Sequence, residues 1–161
     1  MTRSETVLRG ARFTILLGAV VVAVVFFRSC EKYTIPVQDQ SMDPTYPGGT
    51  TVYVENLSGD DPLARGADVV YTMERDGTTY ARYGRVRGLP GDEIGERDGR
   101  LTVNGELIGP AAIPGKAMGR VPEGHVLILA INPMEKRYED SRALGFIPRP
   151  RVVAVIRAQT W

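Results

Sequence analysis

The stretch Gln38-Asp39-Gln40-Ser41-Met42-Asp43-Pro44-Thr45 divides this chain into an apolar run before it and a β-rich sequence after it. Its Asp and Pro residues favour a tight turn, and that turn carries a serine. A serine attacks a carbonyl only if a base removes its proton and donors hold the oxyanion that forms. Such chemistry requires the rest of the chain to supply a base and those donors.

On the N-terminal side, Phe13 to Phe27 is uncharged and is bracketed by Arg12 and Arg28. A spanning helix takes about 20 apolar residues, and arginine stems at both ends extend a short run by snorkelling. Residues 13–28 are therefore expected to form one transmembrane helix in contact with the lipid bilayer. Arg3, Arg9 and Arg12 precede it, which predicts a cytoplasmic N-terminus over residues 1–12, a single pass through the plasma membrane and a main domain, 33–161, on the outer side. A cleavable signal peptide would end in small residues, a pattern that Phe26-Phe27-Arg28-Ser29-Cys30-Glu31-Lys32 does not fit. The same residues suit a lipid anchor on Cys30 poorly, so Cys30 reads as an unpaired thiol.

On the C-terminal side, short β-branched and aromatic segments alternate with turn residues. Tyr33 to Val37, with Pro36, suits an edge strand. Thr51 to Val54, Ala67 to Met73, Thr78 to Arg87, Arg100 to Val103, His125 to Ile131 and Val152 to Ala158 read as further strands. Asp76-Gly77, Asp98-Gly99 and Asn104-Gly105 carry the chemistry of two-residue hairpin turns and predict an antiparallel meander. Ile108 to Glu123 reads as an irregular connection, and 132–142 as a polar loop. His125 to Ile131 is almost continuously apolar, as expected of a strand buried on both faces. The fold class is mainly β, an antiparallel sheet or barrel-like domain behind one N-terminal helix.

Composition narrows the function. The chain has 161 residues and a net charge of +1, with its arginines scattered, which argues against a nucleic-acid partner. One cysteine and one histidine, Cys30 and His125, leave no basis for a disulfide or a histidine- or cysteine-rich metal site, and no cofactor is implied.

Three stretches stand together in chain order: Ser41-Met42-Asp43-Pro44-Thr45, then Arg85-Val86-Arg87-Gly88-Leu89-Pro90-Gly91-Asp92, then Asp140-Ser141-Arg142. Behind one apolar run, they resemble the type I signal peptidases, membrane-bound serine proteases. The resemblance implies a β-rich outward-facing domain built on a Ser-Lys dyad that cleaves signal peptides of exported proteins at the membrane surface. It makes Ser41 the nucleophile, Met42 and Pro44 shapers of its turn, Arg85 the neighbour of the base, and Asp140, Ser141 and Arg142 a supporting loop. Asp140 is expected to pair with Arg142 or with Arg85.

The chain departs from that pattern at the base. The lysine expected just before Arg85 is replaced by Gly84, which accepts no proton. Arg82 and Arg85 cannot substitute, because a guanidinium stays protonated. His125 matches a different strand of the pattern. Lys136, in the loop before Asp140, is the remaining candidate, although its neighbours Glu135 and Arg137 mark a solvated run. Two further positions differ. Asp39 stands where a small or donating residue would serve the oxyanion, and Tyr138 replaces a helper serine. Two functions follow: a signal peptidase I-like serine endopeptidase using Ser41 and an unorthodox base, or a non-catalytic relative that binds signal peptides or other extended peptides in the same cleft as an assembly factor.

Overall fold

β-Branched and aromatic side chains facing alternately to two sides build the domain. The structure is a computed structural model and describes residues 30–59, 61–108, 115–132 and 139–159. The segment expected to cross the membrane, 13–28, lies outside the described residues; among those described, no helix is long and apolar enough to cross a bilayer. Among the described residues, eleven strands form two sheets. The larger holds β1 (Cys30–Thr34), β2 (Thr51–Asn56), β11 (Val152–Gln159), β3 (Asp68–Arg75), β4 (Thr78–Gly88), β9 (His125–Leu129) and β10 (Ile147–Pro148), in that spatial order. The smaller holds β7 (Glu106–Leu107), β6 (Arg100–Val103), β5 (Glu93–Arg97) and β8 (Gly119–Arg120).

The expected hairpin turns form where Asp-Gly and Asn-Gly stand. Asp76, Asp98 and Asn104 have φ of 52°, 54° and 51°, each followed by a glycine also at positive φ, the two-residue turn that suits strand twist. They do not build a single meander. The first hairpin, β3–β4, lies in the large sheet, and the other two join β5, β6 and β7 in the small one. Leu89-Pro90-Gly91-Asp92 turns the chain from one sheet to the other. The expected irregular connection includes the short strand β8, which pairs with β5, and residues 109–114 lie outside the described residues. The expected polar loop ends in a short helix, α1 (Ser141–Leu144).

The large sheet is covered on both faces. Ile35, Met42, Val52, Val54, Val70 and Tyr83 pack on one side, and Val69, Tyr71, Val86, Val126, Ile128 and Ile147 on the other. Strand β9 is buried on both faces, as its apolar run predicts: Val126 and Ile128 belong to the second cluster, and Leu127 and Leu129 join Ile94, Leu101 and Val103 of the small sheet. Near the end of β4 the ladder to β9 slips by one residue between Val86 and Gly88. This bulge brings Gly88 against Leu127, where a Cβ would stand 3.0 Å from the Leu127 Cβ.

Asp92 ties the two sheets together. Its carboxylate accepts hydrogen bonds from the Leu89 amide (2.6 Å), Arg65 Nη2 (2.6 Å) and Asn104 Nδ2 (2.8 Å). Burial works to raise its pKa, but the Arg65 bond, the Leu89 amide and Asn104 outweigh it and hold the carboxyl below its ordinary range. A carboxyl depressed in the folded state adds stability above its unfolded value of about 3.9, and loses it as pH falls through the folded value. We predict that Asp92→Asn destabilises the fold by about 1–3 kcal/mol at neutral pH. Urea unfolding at pH 7 and near pH 3 should show the gap to wild type shrinking at the lower pH.

Candidate active site

The serine turn is anchored before it is chemical. Met42 is fully buried in the first core cluster. The carbonyl of Ser41 accepts the amides of Ile131 (2.9 Å) and Asn132 (3.0 Å), and Asn132 Nδ2 donates to the Gln40 carbonyl at 2.7 Å. These bonds lock the turn to the chain leaving β9 and hold Ser41, half-buried, over β4.

Both donors of Ser41 are engaged. Its hydroxyl donates to the carbonyl of Tyr83 at 3.3 Å, and its amide donates to Asp39 Oδ1 at 2.9 Å. The β4 strand thus runs beside the serine, as the resemblance requires, and the residue next to that contact is Gly84. A Cβ on Gly84 would lie 2.6 Å from Ile128 Cγ2 and 3.2 Å from the Leu129 carbonyl oxygen. The space where a side chain would start is filled by the second core cluster.

Asp140, Ser141 and Arg142 form a buried brace. Asp140 caps α1 through the Arg142 amide (2.9 Å), and its carboxylate pairs with the Arg142 guanidinium, both side chains being almost wholly buried. The pairing expected of Asp140 is therefore the one with Arg142. Arg85 instead grips Asp68 on β3 through two bonds of 2.6 and 2.9 Å; that hydrogen bond is the first cause of its raised pKa. The brace also completes β9. Strand β10 pairs with β9 only at Val126 and His125, and beyond it the Ile128 amide donates to Ser141 Oγ (2.9 Å) and the Ala130 amide to Asp140 Oδ2 (2.8 Å).

A cleft of about 270 Å³ opens beside Ser41. Asp39, Tyr71, Arg82, Tyr83 and Glu139 line it, with Pro36 and Tyr80 at its walls. Glu139 binds Arg82 through Nε and Nη2, takes Arg75 on its other oxygen at 3.1 Å, and its carbonyl accepts the Tyr71 hydroxyl at 2.7 Å. Burial first, then Asp140, raises the Tyr71 pKa; burial first, then Asp39, raises that of Tyr83, so both phenols stay protonated. None of Tyr71, Tyr83, Arg82 or Glu139 is singled out by the three motifs. The signal for two of them is the hairpin turn: counting outward from Asp76-Gly77 sets Tyr71 opposite Arg82 and Asp68 opposite Arg85, the register observed.

Of the other candidates, His125 begins β9 and binds the Glu123 carbonyl. It stands six residues before Ile131, roughly 20 Å along an extended chain from the serine turn. Lys32 lies over the Tyr53 ring at 5.2 Å, and Lys116 is exposed; neither lines the cleft. Lys136 and Tyr138 lie outside the described residues.

A serine on a buried turn, a strand running beside it and an aspartate–arginine brace behind both define a β-rich scaffold of the serine-peptidase kind. The chain belongs to the signal peptidase family: the model for "Signal peptidase, peptidase S26" matches residues 9–161. It is similar to signal peptidase I of Bacillus caldolyticus, at 27% identity over 95% of this chain and 91% of that one. It is also similar to the "Probable signal peptidase I-2" of Synechocystis sp., at 29% identity over 78% of this chain and 61% of that one. A crystal structure of a signal peptidase I from Enterococcus faecalis matches at 23% identity and a TM-score of 0.44, covering 60% of this chain and 98% of the other.

We predict that Gly84→Ala costs about 1–3 kcal/mol through its clash with Ile128. Ile128→Ala alone costs about 2–5 kcal/mol. Urea denaturation of the double variant should give a loss smaller than the sum of the two; strict additivity would mean that Ile128 does not occupy the missing side chain's place.

Proposed function

We propose that this chain uses the cleft beside Ser41 to bind extended segments of exported proteins, signal peptides first among them, and holds them without cleaving them by a lysine-driven route. Family membership supports the substrate class and a membrane-anchored setting, with residues 13–28 as anchor and the domain outside. One observation carries the non-hydrolytic reading: both donors of Ser41 end on acceptors. A carbonyl such as that of Tyr83 is too weak a base to take the hydroxyl proton at neutral pH. The amide that could help hold an oxyanion is capped by the Asp39 carboxylate, whose charge would repel one. Gly84 offers no proton acceptor, and Ile128 stands where a longer side chain would begin.

A second reading has its own support. Glu139 lines the cleft, and Lys136 precedes it by three residues. A desolvated Lys136 reaching back to Ser41 would make the chain a signal peptidase I-type serine endopeptidase, with Ser41 as nucleophile and Arg85, Asp140, Ser141, Arg142, Met42 and Pro44 as supports.

The test is the full chain in detergent with a precursor carrying an Ala-x-Ala site, following cleavage by gel and binding by fluorescence anisotropy. We expect binding without cleavage in wild type, Ser41→Ala and Lys136→Ala alike. Cleavage by wild type that is lost in both variants would establish the second reading and overturn the first.

A further inference from the structure

The cleft has one charge that the protein leaves open. Asp39 spends Oδ1 on the Ser41 amide, and among the described residues it has no ion-pair partner and no hydrogen bond to Oδ2. The other charges are compensated. Glu139 holds Arg82 and Arg75, and Asp140 holds Arg142. Arg82, the one cation among the described lining residues, shares Glu139 with Arg75 and already lies 5.8 Å from the centroid of the Tyr80 ring. Tyr71, Tyr80 and Tyr83 line the wall together with Pro36, Gln38 and Ala130; burial first, and the Asp39 charge in addition, raises the pKa of the Tyr71 and Tyr83 phenols. An open carboxylate among aromatic rings attracts a cation through charge and through the negative faces of the rings. The volume, about 270 Å³, falls below that of pockets for drug-sized ligands and suits one or two side chains.

We infer that this cleft is a receptor for an alkylammonium group of the bound peptide, seated against Asp39 Oδ2 and flanked by Tyr71 and Tyr83. The inference rests on the peptide-binding reading above and names the side-chain class that the cleft selects. Either a lysine side chain or a free peptide N-terminus supplies the group. A guanidinium is broader and planar, so arginine is the poorer fit to a cleft of this size. The protein thus meets an ammonium group on the substrate, where β4 carries Gly84 and no lysine.

The test uses the full chain in detergent and short fluorescent peptides of alanine and serine, N-acetylated, with a single lysine or a single norleucine walked along the sequence. A third set bears norleucine and a free N-terminus, which separates the two sources of ammonium. At one register position, lysine should bind about tenfold more tightly than norleucine, the combined worth of a partly exposed ion pair and a cation–π contact. The preference should weaken with salt. It should vanish in Asp39→Asn, which keeps an oxygen to accept the Ser41 amide. Equal binding of lysine, norleucine and free-amine peptides would overturn the cation site while leaving peptide binding intact. A lysine preference that survives Asp39→Asn would overturn the role of Asp39. Failure of every peptide to bind would overturn the peptide-binding reading together with this one. The lysine–norleucine comparison is made on wild type, so it decides the matter even if Asp39→Asn folds poorly.

Discussion

Four backbone amides at the end of β9 hold the site together. Those of Ile128 and Ala130 donate to side-chain oxygens of Ser141 and Asp140, and those of Ile131 and Asn132 donate to the carbonyl of Ser41. Buried amides must find acceptors, and here β10, two residues long, pairs with β9 only at Val126 and His125, while the serine turn takes the place beside β9 beyond Leu129. The serine turn and the aspartate–arginine brace meet that need from two sides. Both motifs are placed by the same backbone, which is why they lie together although about 100 residues apart in sequence.

The consequence for chemistry is one of sign. A serine hydrolase directs donors at a developing negative charge and an acceptor at the serine proton. At Ser41 the hydroxyl and the amide both end on acceptors, the Tyr83 carbonyl and the Asp39 carboxylate. The proposed reading of the cleft follows from that pairing, because a carboxylate on the amide sets a negative charge where an oxyanion would form. The core agrees with this arrangement, because Ile128 packs into the volume at Gly84 and keeps β4 close to β9.

Much of this was legible in the chain. The three Asp-Gly and Asn-Gly turns are where the sequence puts them, and the continuous apolar run at His125 is a strand covered on both faces. The hairpin register also lies in the sequence, because a two-residue turn fixes every cross-strand pair; the Asp68–Arg85 pair follows from it once the count is made. The partition into two sheets is not legible, since Asp98-Gly99 and Asn104-Gly105 look the same whichever sheet receives their strands. The occupation of the Gly84 site by Ile128 is likewise a matter of contacts between strands more than forty residues apart. Asp39 shows its charge in the sequence, but not that its carboxylate turns inward onto the amide two residues on.

The brace has an implication for how relatives of this protein are sorted. Asp140, Ser141 and Arg142 fill hydrogen-bonding roles that the domain needs in order to fold, whether or not any bond is ever cut. Replacing Arg142 alone would strand a buried carboxylate, a defect that proteins tolerate badly. Gly84, on β4, has no side chain to leave unpaired. A lineage that gave up hydrolysis would therefore keep these landmarks intact, and searches keyed to them would gather working proteases and silent descendants into one bin.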